Sequence, residues 1–324
     1  MNRTTAARFV LSIGIAATVL VGCAVSQPLG VPNRETSWMK ADTSPALLYF
    51  DDDTTNETYV YDYPNGKQVG KLTGFHDPQG MCVDKKGDVY ITNERFGLLF
   101  EYAHGGTQPM NVYEDPGHGL VGCSVSATGD VAATGSNICI WKHGIAQDRP
   151  TCIDGNASIG CGGLSTFGYD PNGDLIGLST SGLKTTACMI PAGTTTMEKL
   201  STSGIKFNFG VRGTAWDGEY ITLGGVRGDG DVVQAAKLSG TTLVGVGPEI
   251  RLDDCEEMPG SPFFFGKQNI TAASTTRATS VTVANPRCDK GVADFWNYPK
   301  AGREPTLRIR AEHDSGGDAV SIAH

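Results

Sequence analysis

Short apolar runs alternate with breaks containing Gly, Asn and Asp through most of the chain, and no long amphipathic helical pattern interrupts them. The stretch from His76 to Asn93 shows the unit best. Met81, Cys82 and Val83 form an apolar run that suits a strand buried on both faces. Asp84 to Asp88 supplies turn chemistry, because Gly87 accepts positive φ and Asp side chains bond to nearby backbone. Val89, Tyr90, Ile91 and Thr92 are β-branched or aromatic and suit a half-buried pleated surface. The pattern predicts strand, turn, strand.

The unit recurs. Gly87-Asp88 returns as Gly129-Asp130 and Gly173-Asp174, then more weakly as Gly218-Glu219 and Gln268-Asn269, at successive intervals of 42, 44, 45 and 50 residues starting from Asp88. A second piece recurs with it. Val60-Tyr61-Asp62-Tyr63-Pro64 matches Leu99-Phe100-Glu101-Tyr102, Phe295-Trp296-Asn297-Tyr298-Pro299 and, in shorter form, Cys139-Ile140-Trp141. One aromatic per unit at one repeat position (Tyr61, Phe100, Trp141, Trp296) reads as packing between units rather than as a ligand platform. A period in the forties with four short strands per unit predicts an all-β propeller. Inner strands near residues 78, 119, 163, 210, 262 and 316 predict six blades; five or seven fit less well. The segment from His313 to Ile322 parallels an inner strand, and Ala46 to Phe50 parallels a second strand, so the N- and C-terminal parts should close one blade together and leave no unpaired edge.

These repeats resemble NHL-type repeats, best over 45–135 and 290–322, moderately over 160–225 and poorly over 226–290. The resemblance implies a six-bladed or related propeller and says little about activity.

The first residues belong to targeting rather than to the fold. Arg3 and Arg8 precede an apolar segment from Phe9 to Leu20 that is too short to span a bilayer, and Leu20-Val21-Gly22-Cys23 resembles a bacterial lipobox. That resemblance implies lipidation of Cys23, and Ala24 after it implies sorting to the outer membrane. The expected organisation is a signal peptide over 1–22, a tether over 23–42 and the propeller over 43–324. Removing residues 1–22 takes away two arginines and no acid, which moves the formal net charge from −9 to −11. So acidic a chain, with no basic cluster, argues against nucleic acid or anionic lipid as a partner. The exported chain is read as a monomer, attached to the membrane through its anchor.

Eight cysteines remain beside Cys23, and export favours disulfides. Cys152 and Cys161, with Gly155 and Gly160 between them, suggest a local loop closure. Cys82 and Cys123 hold equivalent repeat positions with side chains pointing the same way, which disfavours a bridge between them. No CxxC pair or His-rich spacing suggests a zinc site.

Residues just before each inner strand should line one mouth of the central channel. They include His76 and Asp77, Asp115 and His118, and His313 and Asp314. Imidazole beside carboxylate suits a divalent metal, calcium or zinc, or acid–base work. Amidating lyases and streptogramin lyases are propellers with comparable groups near the axis, though neither family's wider pattern is present. The alternative is that these residues cap loop amides. Asp51-Asp52-Asp53 reads as a solvated acidic turn in preference to a calcium loop. Glu94 and Arg95 suggest ion pairs between blades. Gly224 to Gly230 is read as lying between strands with no helix after it, which excludes a phosphate loop. With no complete catalytic motif, the expectation is a binding or scaffolding module for a protein, glycan or small molecule, with no assured cofactor. The alternative is a metal-dependent lyase or hydrolase at the channel mouth.

Overall fold

The computed structural model describes residues 37–40, 46–115, 119–164, 166–181, 184–206, 208–227, 230–252, 263–266, 280–284, 292–299, 305–310 and 320–323. They form an all-β, propeller-like set of four- and five-stranded sheets. The only helical turns among them are short 3₁₀ segments such as Glu94–Phe96.

The second sheet carries the plainest copy of the unit: Met81–Val83, Val89–Asn93, Leu98–Tyr102 and Pro109–Glu114 pair antiparallel in chain order. The third repeats it with Gly122–Val125, Val131–Thr134, Ile138–Trp141 and Thr151–Ile153. The fourth runs from Thr166–Tyr169 through Leu175–Ser181 and Lys184–Ile190 to Glu198–Lys199. The fifth has longer strands, Asn208–Trp216, Ile221–Arg227, Gly230–Ser239 and Thr242–Leu252, with Ser201–Ser203 added parallel on the outside. The sixth comprises Phe263–Gly266, Ser280–Ala284, Val292–Asn297 and Leu307–Arg310. In the first sheet the order is Trp38–Met39, Lys67–Thr73, Glu57–Asp62, Leu47–Asp52 and Val320–Ala323. Its inner strand therefore comes from the C-terminal part of the chain, with Leu47 opposite Ala323 and Phe50 opposite Val320. Trp38–Met39 lies inside the stretch read as tether.

The core sits between sheets. Val89 and Ile91 pack with Leu47, Tyr49 and Val60 of the first sheet, while Tyr90 turns to Val131, Ala133 and Trp141 of the third. Ile176 and Leu178 pack in turn on Ile221 and Leu223 of the fifth. Successive side chains of a strand point to opposite faces, so burial on both faces explains why Val89–Asn93 is fully buried where a half-buried strand was expected. Tyr61, Phe100 and Trp141 are nearly inaccessible, as the packing reading requires. The side chain of Trp296 lies outside the described set.

The repeated Gly-Asp signature is a hydrogen-bonded turn. Asp84 Oδ1 accepts from the Lys86 and Asp88 amides at 2.8 and 3.0 Å, and Asp170 Oδ1 accepts from Asn172 and Asp174 at 2.9 Å each. Gly87, Gly129 and Gly173 all take φ +87°, a left-handed conformation open to glycine. The second acid ties this turn to the other repeated piece. Asp130 Oδ1 accepts from the His143 amide at 2.8 Å, and Asp174 Oδ1 from the Ala192 amide at 2.8 Å. In the third and fourth sheets the Gly-Asp turn is thus tied to the segment that follows the third strand.

Two cysteine expectations are corrected. Cys82 and Cys123 are bridged, with Cα atoms 5.6 Å apart. First strands of neighbouring sheets lie against each other, so equivalent side chains converge instead of standing apart. The approach is close enough that a Cβ on Gly80 would lie 2.4 Å from the Val121 carbonyl oxygen. Cys152 and Cys161 are not joined. Cys152 bonds to Cys139, its partner in register, and Cys161 to Cys188. The intervening loop is closed instead by backbone bonds between Asn156 and Cys161. Gly224 and Gly225 lie within strand Ile221–Arg227, not between strands.

Candidate functional site

Opposite the Gly-Asp turns, loops from the first three sheets surround a depression of about 810 Å³. The first sheet contributes Asp53 and Asn56 from its turn between Leu47–Asp52 and Glu57–Asp62. His76 and Asp77 lead into Met81–Val83, and Glu94 and Arg95 follow Val89–Asn93. Gly119 and Ser136, from before and within the third sheet, complete the lining. Three carboxyl groups thus face one arginine and one imidazole.

The backbone beneath is fixed by side chains. The His76 amide donates to Asn93 Oδ1 at 2.9 Å, and the Asp77 amide to Asn56 Oδ1 at 2.7 Å. Asp77 and Asn56 both adopt positive φ, 62° and 58°, outside glycine's usual monopoly. The Glu94 amide donates to the Asp77 carbonyl at 3.0 Å, and Gln79 Nε2 to Asp77 Oδ1 at 2.7 Å. His76 stands exposed, its ring edge-on to Phe96 with centroids 4.9 Å apart. Partial burial raises Glu94 above the usual carboxylate range, and the charge and hydrogen bond of Asp77 raise it further. Glu94 therefore faces a carboxyl group and not the cation an inter-blade pair would need.

The sequence-derived residues divide as follows. His76 and Asp77 share the depression. Asp115 does not: it is buried, with Oδ1 3.3 Å from Cys139 Sγ of the Cys139–Cys152 bridge. Its backbone amide donates to Gly97 O at 2.9 Å. Asp115 and the two sulfurs form a compact donor cluster, but both sulfurs are already joined to each other. His118, His313, Asp314 and Cys23 lie outside the described residues.

Sequence reasoning missed Glu94, Asn56 and Asp53 as partners of His76. Their signal was available in retrospect: each occupies the connection between second and third strands, which shares an end of the sheet with the approach to the first. The acidic triplet is also corrected. Asp51 and Asp52 are buried, because Asp51 Oδ1 accepts from Thr58 Oγ1 at 2.5 Å and Asp52 Oδ1 accepts from the Thr54 and Thr55 amides at 2.9 and 3.0 Å. Burial accordingly raises Asp52, against the lowering effect of those amides. Only Asp53 of the three reaches the depression.

No helix among the described residues is long and apolar enough to cross a membrane. The three disulfides fit an oxidising compartment. No protein-family profile and no curated protein sequence matches the chain. Among solved structures it is similar to a protein of unknown function from Bacteroides caccae, at TM-score 0.58 and 8% identity over 87% of this chain and 100% of that one. It is similar to Kuenenia stuttgartiensis hydrazine synthase at 0.53 and 11% over 93% and 92%, and to a functionally unknown protein from Desulfotomaculum acetoxidans at 0.50 and 9% over 81% and 78%. At these identities the likeness bears on architecture alone, and it supports a propeller-like fold.

Proposed function

We propose that the chain is an exported six-bladed propeller, closed by its first and last strands and anchored through Cys23 to the outer membrane, that binds a small ligand or a partner segment at the loop-lined depression. The single observation behind this reading is convergence. Three sheets that otherwise repeat one another deliver non-repeating polar residues to one place, with Asp53, Asp77 and Glu94 outnumbering Arg95. Loops held by a rigid scaffold are where recognition usually resides. The acidic lining favours a ligand presenting a divalent cation or an ammonium or guanidinium group.

A second reading, a metal-dependent lyase or hydrolase, is favoured by His76 sharing this depression with Asp77 and Glu94. Imidazole and carboxylate oxygens are donors for calcium or zinc and also acid–base groups. Titration calorimetry of the purified protein with calcium, zinc and manganese, alongside the double variant Asp77→Asn, Glu94→Gln, tests both readings. Saturable binding that disappears in the variant supports a site here, and loss of that binding in His76→Ala brings the metal-dependent reading forward. Metal binding unchanged in all variants would remove the depression from consideration as a metal site, and capture of cationic glycans or peptides would then decide the binding reading.

A further inference from the structure

The outermost strand of the first sheet presents an aromatic side chain outward. Trp38–Met39 pairs antiparallel with Lys67–Thr73, Trp38 opposite Lys71 and Met39 opposite Gly70. It is firmly seated. The Thr73 amide donates to Ser37 Oγ at 3.1 Å, and the Lys40 amide donates to Val69 O at 2.7 Å. Met39 turns inward onto the core shared by the first two sheets. Gly70 makes room for it, since a Cβ there would lie 2.3 Å from Met39 Sδ. Trp38, one residue earlier, must then point out, and it is 39% exposed, with Lys40 Nζ 5.5 Å from its ring centroid. Lys40 also reaches Gln68 O at 3.5 Å, and the exposed Lys67 is the adjacent residue of that strand.

This strand follows Cys23 closely. Ser37 is 14 positions downstream, a reach of at most roughly 50 Å for a fully extended chain. If Cys23 is acylated, the Trp38 rim is the part of the folded body tied nearest the bilayer. A part-exposed indole with Lys40 over its ring, on a strand edge that also carries the exposed Lys67, matches the headgroup layer, where Trp partitions and Lys snorkels toward phosphate. The acidity of the chain as a whole makes a local pair of lysines the face best suited to approach lipid phosphate.

We infer that Trp38, Lys40 and Lys67 form an interfacial contact that seats the propeller against the membrane carrying its anchor, and so fixes the propeller's orientation. The inference rests on the anchoring at Cys23 proposed above. It is tested with the mature protein extracted from membranes and reconstituted into phosphatidylcholine–phosphatidylethanolamine vesicles containing brominated acyl chains. Flotation reports the anchor, and tryptophan quenching reports the contact. The expected result is equal flotation of wild type and Trp38→Phe, with bromine quenching of wild type that is largely absent in the variant and reduced in Lys40→Glu, Lys67→Glu. Equal quenching of wild type and Trp38→Phe in floating vesicles would overturn the contact while leaving the anchor intact. Wild type that fails to float would remove the anchor and the contact with it. A Trp38 emission shifted to the blue without bromine quenching would mean that another protein surface covers the strand, which also overturns the proposal.

Discussion

The two ends of the same sheets treat their acids in opposite ways. At the Gly-Asp end, Asp84, Asp170 and Asp217 each accept two backbone amides, at the same offsets in Asp84 and Asp170 and with the second offset one residue shorter in Asp217. At the other end Asp77 and Glu94 face each other, and the first three sheets deliver different polar residues to one depression. Repetition marks what holds the sheets; departure from repetition marks what they hold out to solvent.

Breaking the repeated end should be costly. Asp217 is fully buried and accepts the Tyr298 hydroxyl at 2.6 Å as well as the Glu219 and Tyr220 amides at 2.8 and 2.7 Å. Asp217→Ala leaves the buried Tyr298 hydroxyl and two turn amides without their acceptor and should lower unfolding free energy by about 3–5 kcal/mol, read from denaturant midpoints. Opening the bridge that joins the second and third sheets should rank next. Cys82→Ser with Cys123→Ser removes a link spanning 41 residues and should cost about 2–4 kcal/mol. The same assay should show that the equivalent cut at Cys139 and Cys152, separated by 13 residues, costs less.

Acid titration sharpens the contrast within the repeated end itself. Burial alone would raise Asp130, but the His143 amide and the Lys142 ammonium at 2.7 Å hold it below the usual carboxylate range. A depressed folded pKa contributes stability above the unfolded value that is lost as pH falls through the folded one. Asp130→Asn should therefore reduce stability at neutral pH and flatten its decline between about pH 5 and pH 2. Asp88, at the same repeat position, is raised by burial and by Asp84. Its ionisation opposes folding, so Asp88→Asn should move the pH profile the other way. The smallest effect belongs to the mouth. Glu94 is raised and part-exposed, so Glu94→Gln relieves repulsion and should leave Tm unchanged or higher by about 1–3 °C, while abolishing any cation binding. A clear fall in Tm would mean that Glu94 is structural and would erase the contrast between the ends.

The repeated end was legible in the sequence because its signal is periodic: Gly87, Gly129 and Gly173 are spaced by a structural unit, and each takes the same φ. The mouth was legible only in part. His76 and Asp77 announced themselves by position, but Asp53, Asn56 and Glu94 reach them through pairings between strands that spacing alone does not display. Asp51 and Asp52 misled because consecutive acids look solvated unless the Thr58 hydroxyl and the loop amides that receive them are known. The Cys82–Cys123 bridge was read wrongly for a geometric reason. Equivalent residues diverge on separate objects, whereas strands gathered around an axis bring them together. Trp38–Met39 is too short to carry a periodic signal at all.

Leu47–Asp52 is among the first strands made, yet its inner neighbour Val320–Ala323 is the last in chain order. During synthesis the first sheet must therefore wait with one edge bare, and the other described sheets can be complete before it is. A protein built this way has a built-in proofreading moment: only a chain translated through Val320–Ala323 can hide that edge. Products cut short of Val320 would present Leu47–Asp52 to each other and to quality-control proteases, however well the rest had folded.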